Sequence, residues 1–379
     1  MNYFYFDNAA TTRVRDGVRE IVEMHNHDAY YNPSANYLPA IEVHNEIESV
    51  RASILKSIKG FGGNLYFTSS GTEADNLALF GSKKRKGCNV VISAVEHPAV
   101  YNAANALKDM GVEVRIAPVN GAGAVDAEAF GALIDENTSL ASVMHVNNET
   151  GALNDVKNLC ALAKRKNPRV LFHSDGVQAL GKTPVNLSEL GVDYYTISGH
   201  KIGAPKGVAA LYVAKGRSIS PILYGGGQED GVRSSTENVG GILSFGYAVS
   251  RSVEELADLT VRYREFAACL RDKLSTIDDI RFLSDEECIS GILTFAFKDL
   301  RGEAMQHALS AEGYLVGTGS ACSARRANDR IRNALGLDKA YSGGVIRVSF
   351  GRDNTIEQVE GLGDAVLAIY RNMKKYIRK

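Results

Sequence analysis

Cysteine is sparse and scattered in this sequence: five residues, at 88, 160, 269, 288 and 322, with no C-x-x-C pair among them. An odd count spread over a chain of this length does not read as a disulfide framework. None has a His or Cys neighbour that would complete a zinc site, so a metal held by cysteine is not expected. No apolar run reaches the length needed to cross a bilayer. The opening residues MNYFYFDNAATTR lack a basic segment followed by a long apolar stretch, which argues against a signal peptide. An excess of either charge is missing as well: a formal net charge of -1 gives no global attraction to nucleic acid or an anionic membrane. No G-x-G-x-x-G opens a helix after the first strand of the α/β region, which disfavours a dinucleotide-binding protein. Internal repeats and low-complexity linkers are also lacking. The expectation is a cytoplasmic globular protein.

What is present is organised. A chain of 379 residues, 45% hydrophobic and 23% charged, has room for one large domain, a smaller one and a substantial core. Val43, Ile47, Val50, Ile54 and Ile58 recur at close to a helical period. NLYFTSS then reads as a strand, and EADNLALFGSKKRKG as a helix ending at Gly87. NVVISAVE, VEVRIAPV, LASVMHV, RVLFHSD and VDYYTIS follow as short apolar strands, most separated by helical stretches such as VKNLCALAKRKN. This alternation predicts an α/β domain with a mainly parallel sheet covered on both faces. After about residue 250 a charged helical stretch over 252–277 leads to GILTFAF, a helix RGEAMQHALSAEG, GVIRVSFG and a terminal helix, which reads as a smaller α+β domain. The expected division is a large domain over 13–250, with 1–12 and 251–379 forming the small one.

Ligands of such sheets collect beyond the carboxyl ends of the strands, and polar residues cluster there: SSGTE, EHP, NNETG, HSDGVQ and SGHK. Lys201 follows the strand VDYYTI among small residues, flanked by Ser198 and His200. Most lysines are solvated surface charges; the strand end, the polar flanks and Asp175 at a nearby strand end favour a site instead. A buried lysine has a depressed pKa and joins aldehydes as a Schiff base. Pyridoxal phosphate, an aldehyde cofactor, also needs a carboxylate at its ring nitrogen. Asp175 can serve, although an Asp after a strand is as readily a cap. The phosphate needs a cradle, and Ser70, Gly71 and Thr72 bring N–H groups and a hydroxyl to a helix N-terminus. Taken alone, that segment is equally a plain N-cap with Glu73 in the first turn. His97 can stack on a ring, although a lone histidine at a strand end is more often structural.

The ordered combination is far more specific than its parts. A phosphate-type cap, a His, NNETG, HSDGVQ, SGHK and finally a Cys and an Arg resemble the cysteine desulfurases of the NifS/IscS type. These are class V, fold-type I pyridoxal phosphate enzymes, and the resemblance runs from FDNAATT to IRVSFGRDNT. It implies that Lys201 holds the cofactor covalently, Asp175 pairs with the ring nitrogen and Gln178 hydrogen-bonds the phenolic oxygen. His97 would stack on the ring and relay protons. Gly71, Thr72, Ser198 and His200 would bind the phosphate, joined by Thr236 from the other subunit of a homodimer. Asn148 would lie beside cofactor and substrate, and Arg347 would clamp the substrate carboxylate with its planar fork.

The same resemblance gives Cys322 a task. A thiolate must attack the sulfur of L-cysteine bound at the cofactor, keep it as a persulfide, release alanine and pass the sulfur to an acceptor protein, an iron–sulfur scaffold or a sulfur carrier. The surrounding GTGSACSARR is poor core material and suits a thiol that must reach and withdraw, and Arg325 and Arg326 would favour the thiolate. The other four cysteines lie in helical or strand-like contexts and read as packing residues. Several positions depart from the family pattern: Asn36-Tyr37 in place of a Ser/His pair, Gly176 in place of Ala, Ser235 in place of Gly, and no Pro-Ser-His segment after the cysteine. Two rival readings are a selenocysteine lyase or other class V enzyme, and a non-catalytic descendant, whose signature would be loss of Lys201 or Cys322.

Overall fold

The computed structural model describes residues 3–82, 84, 86–286, 288–318 and 325–375, the side chains of 325–328 excepted. The first strand, β1 (Phe4–Phe6), leaves for a second sheet. The next seven are β2 (Asn64–Thr68), β3 (Asn89–Ser93), β4 (Glu113–Ala117), β5 (Thr138–Ser142), β6 (Leu171–Asp175), β7 (Tyr194–Ser198) and β8 (Ala209–Val213). They form one sheet in the order β2-β8-β7-β6-β5-β3-β4. All neighbours are parallel except β8, which runs antiparallel to both β2 and β7. Strands β3, β5, β7 and β8 are buried at every position, as a sheet covered on both faces requires. The edge strand β4 is mostly half-buried or exposed.

Helices cover both faces. The predicted periodic helix is Leu38–Ser57, which buries Val43, Ile47 and Ile54 against one face. Gly71–Gly81 and Pro98–Asp109 bury Leu77, Ala78, Val100 and Leu107 on the other. The helix expected to reach Gly87 stops at Gly81. There the Gly81 carbonyl accepts from Ser220 N (2.9 Å), and Lys84 Nζ donates to the Leu79 and Ser82 carbonyls. Side chain and loop satisfy the terminal carbonyls that another turn would have used.

The second sheet has the order β1-β11-β12-β10-β9, with β9 (Ile280–Phe282), β10 (Ile292–Phe297), β11 (Tyr314–Thr318) and β12 (Val345–Ser349). β1 pairs parallel to β11, and the other pairs are antiparallel. Helices Leu256–Leu274 and Ile356–Lys374 pack on it around Phe266, Leu270, Phe295, Ile346 and Leu362. The latter helix begins with a reciprocal Thr355/Gln358 capping box. The stretch 252–277, expected as one helix, is instead the end of Val239–Glu254 followed by Leu256–Leu274. Ile242, Phe245 and Val249 of the first belong to the large core, whereas Leu259, Tyr263 and Phe266 of the second belong to the small one. One straight helix could not present its apolar stripe to both.

Candidate active site

Because β2, β3, β5, β6 and β7 are parallel to one another or end at a common rim, the loops that follow them converge. They enclose a cavity of about 430 Å³. Gly71 and Thr72 come from the end of β2, His97 from β3, Asn148 from the loop after β5, Asp175 and Gln178 from β6, and Ser198, His200 and Lys201 from β7. Arg347 reaches in from β12 of the second sheet, and Ala9 and Ala10 from the segment after β1.

At the rim, Ser70 N-caps the helix Gly71–Gly81 by accepting from Glu73 N (3.1 Å), and Glu73 accepts in return from Ser69 N (2.9 Å). The remaining first-turn N–H groups face the cavity end of the helix, an anion-binding geometry. A Cβ on Gly71 would come within 3.1 Å of Val177 Cγ2, so bulk there would crowd the cradle. His200 is held far below its usual pKa, to about 4, by burial and then by Lys201 and other neighbouring cations. It is therefore neutral, with Nδ1 3.2 Å from Thr11 Oγ1.

Lys201 Nζ donates to the carbonyls of Ala9 (2.6 Å) and Ala10 (2.7 Å). Burial, then the Arg347 guanidinium, brings its pKa down to about 8, against the pull of Asp7, Asp175 and Glu149. Below it lies an acidic floor. Asp75, His97 and Asp175 each offer a ligand atom, and these atoms lie within 4.8 Å of one another. Burial raises the pKa of Asp175, and burial followed by Asp175 raises that of Asp75 well above the carboxylate range. His97 Nδ1 accepts from Ala99 N (3.2 Å), which places the neutral ring's proton on Nε2. Burial lowers the His97 pKa, as do Lys201 and Arg330, while Asp175 raises it.

Arg347 donates to Asp7 Oδ1 (2.7 Å), to the Asn148 carbonyl (2.9 Å) and to Glu149 Oε1 (3.2 Å). Its Nε and the Asn148 Oδ1 are buried without hydrogen-bond partners, as is Asp75 Oδ1. Such orphaned groups around one cavity are what a bound polar ligand would satisfy.

One expected residue stands elsewhere, and another is not among the described residues. Thr236 is exposed and lines a separate cleft with Ser69 and Arg233, outside the cavity of its own chain. Cys322 lies outside the described residues, as do the side chains of Arg325 and Arg326. Sequence reasoning missed Asp7, Asp75, Glu149 and Lys182. For Asp75 a signal existed, since it follows Gly71 by four residues and so shares its helix face.

The family pattern of the class-V aminotransferases matches residues 4–362. The chain belongs to this family. Its curated relatives include a protein named cysteine desulfurase IscS 1 from Archaeoglobus fulgidus, 34% identical over 376 residues, 98% of this chain and 97% of that protein. Among solved structures, one described as a NifS-like protein has a TM-score of 0.91 and 32% identity, covering 97% of this chain and 99% of that one. Another, SspA in complex with cysteine, has a TM-score of 0.79 and 27% identity, covering 91% of this chain and 98% of the other. The class-V family works with pyridoxal phosphate, and the cavity suits it. It offers a helix N-terminus for a phosphate, an acidic floor for a protonated ring nitrogen and a half-buried lysine of lowered pKa for an aldehyde. Among the described residues no helix is long and apolar enough to cross a membrane.

Within the class-V pattern, Gly176 has a local explanation. A Cβ there would lie 2.0 Å from the ring of Tyr195, which is fully buried and whose hydroxyl meets His145 Nδ1 at 2.7 Å. The tyrosine occupies the volume that an alanine methyl would need.

Proposed function

We propose that this chain is a cysteine desulfurase. It takes L-cysteine, releases L-alanine and keeps the sulfur as a persulfide on Cys322 for an acceptor protein. One observation carries this reading: Lys201 is half-buried between two backbone carbonyls and an acidic floor, beside a helix N-terminus, in a chain 34% identical to a named cysteine desulfurase. The neighbour solved with cysteine supports the substrate class.

Pyridoxal phosphate, when bound, supplies an aldehyde carbon and a ring that draws electrons from the substrate's Cα. The helix Gly71–Gly81, with Thr72, Ser198 and His200, would hold its phosphate, and Asp175 its ring nitrogen. Lys201, with a pKa near 8, keeps a neutral fraction at neutral pH that can attack a carbonyl. His97, neutral with its proton on Nε2, can pass a proton while covering the ring face. Arg347 binds the substrate carboxylate in competition with Asp7 and Glu149, so the free-site ion pairs exchange for substrate contacts. Asn148 Oδ1 accepts a hydrogen bond from cofactor or substrate. Cys322 thiolate then forms a bond to the substrate sulfur as the C–S bond breaks; the released electron pair stays on the carbon, which takes a proton as alanine.

A cytoplasmic homodimer divided at 13–250 and 1–12 with 251–379 completes the reading, with Thr236 entering the partner's site. Exposed apolar side chains at Tyr30, Tyr37, Leu38, Leu223 and Tyr224 support an interface. The test is incubation with L-cysteine, followed by mass spectrometry of Cys322 and assay of alanine. Cys322→Ser should keep the visible absorbance and bind cysteine but release no sulfide. Desulfuration by that variant at the wild-type rate removes the assigned role. Faster turnover of L-selenocysteine through the same site would favour the lyase reading.

A further inference from the structure

Two partners with fixed chemistry orient the Gln178 amide. Lys182 Nζ donates to its Oε1, and its Nε2 donates to the Ala9 carbonyl at 2.8 Å. In its ammonium form Lys182 only donates, and a carbonyl only accepts, so flipping the amide would then lose both bonds. Gln178 lines the cavity, and its Nε2 keeps one hydrogen for a ligand there. Ala9 O also accepts from Lys201, so Lys182, Gln178, Ala9 and Lys201 form one connected chain.

The turn after β6 places Lys182, whose N–H and that of Thr183 both bond to the Ala179 carbonyl at 3.0 Å. It therefore follows Gln178 by one turn. Among the described residues no carboxylate lies within ion-pair distance of its ammonium. The cations Lys201 and Arg347 face it, and burial followed by these two lowers its pKa to about 7. Across a narrow chamber stand Arg15, Arg352, Asp353 and Tyr263; Arg15 is paired with Glu255, and Arg352 with Asp353. A cation held away from water without a counter-ion gives up its proton or destabilises the fold, and a negative charge arriving beside it would hold the proton in place.

We propose that Lys182 is a positioning residue for the cofactor: it locks Gln178 as a hydrogen-bond donor and adds a positive charge behind it, so that an anionic oxygen of the bound ring is preferred. This rests on the cofactor reading above. Positive charge at that edge disfavours a proton on the Lys201 nitrogen once the lysine is joined to the cofactor, a nitrogen that Asp7, Asp175 and Glu149 pull the other way.

The experiment is an absorbance titration of the visible band of the loaded enzyme, with the cofactor dissociation constant measured by reconstitution of the cofactor-free protein. Circular dichroism checks the fold of each variant. In Lys182→Met the band should titrate about one pH unit higher, a tenfold change, and the cofactor should bind about tenfold more weakly. Lys182→Arg, which keeps donor and charge, should behave as the wild type. A Lys182→Met enzyme that titrates with the wild type overturns the proposal, and so does an arginine variant shifted as far as the methionine one. If Lys182→Met does not fold, Lys182→Gln, which drops the charge, is judged by the same shift. A wild type that gains no visible band with pyridoxal phosphate overturns the cofactor reading and this proposal together. A normal wild-type band with unshifted variants overturns this proposal alone.

Discussion

Asp75 and Asp175 bring carboxyl oxygens within 4.8 Å of each other beneath the cavity, and both side chains are buried. Two like charges at that separation repel by roughly 3 kcal/mol at an effective dielectric of about 20. Burial raises the pKa of each carboxyl, and for Asp75 the neighbouring Asp175 adds to it, so the pair resists double ionisation. A raised folded pKa means that the folded protein keeps protons the unfolded chain has released, so stability falls as pH rises above the ordinary carboxylate range. Asp75→Asn should stabilise the cofactor-free protein by about 1–2 kcal/mol at mildly alkaline pH, and by less in acid. Thermal unfolding at the two pH values checks this; destabilisation at alkaline pH would show that the Asp75 charge is needed in the fold.

Glu96 offers a second titration with the same sign. Its side chain is fully buried beside Ser93 and Met144 N, and burial raises its pKa to about 8. Its contribution to stability is complete below the unfolded carboxylate value of about 4.3 and is lost as pH rises through about 8. Glu96→Gln should flatten the decline of stability between these limits, measured by chemical denaturation across pH. An unchanged slope would mean that Glu96 is ionised in the folded protein.

Gly176 and Tyr195 form a matched pair. Gly176→Ala should cost about 2–3 kcal/mol, because the added methyl meets a ring that cannot retreat from a packed interior. Combining it with Tyr195→Leu should recover part of the loss, so that the two changes are non-additive in a double-mutant cycle. Additive effects in denaturant unfolding would refute the coupling.

Much of the site was legible because parallel strands deliver their carboxyl ends to one rim, so polar residues that end successive apolar runs are brought together. Gly71, His97, Asp175 and Lys201 lie far apart in the chain and share one cavity for that reason. Asp7 and Lys182 were not legible. Asp7 is useful only because β1 joins the second sheet beside Arg347, and Lys182 only because a turn folds it back onto Gln178. A helix end departs from the sequence pattern where a loop distant in the chain supplies the terminal hydrogen bond, as the Ser220 backbone N–H does at the Gly81 carbonyl.

Local pattern alone was enough to indicate the α/β class and the polar strand ends, Lys201 among them, that meet at one cavity, since periodicity and capping act between residues close in the chain. Only the tertiary structure decided which charges meet: the acidic floor of Asp75 and Asp175, and the acids Asp7 and Glu149 on Arg347. Their energies depend on burial and on distances of a few ångströms between segments that the chain keeps far apart, and no linear pattern encodes such distances.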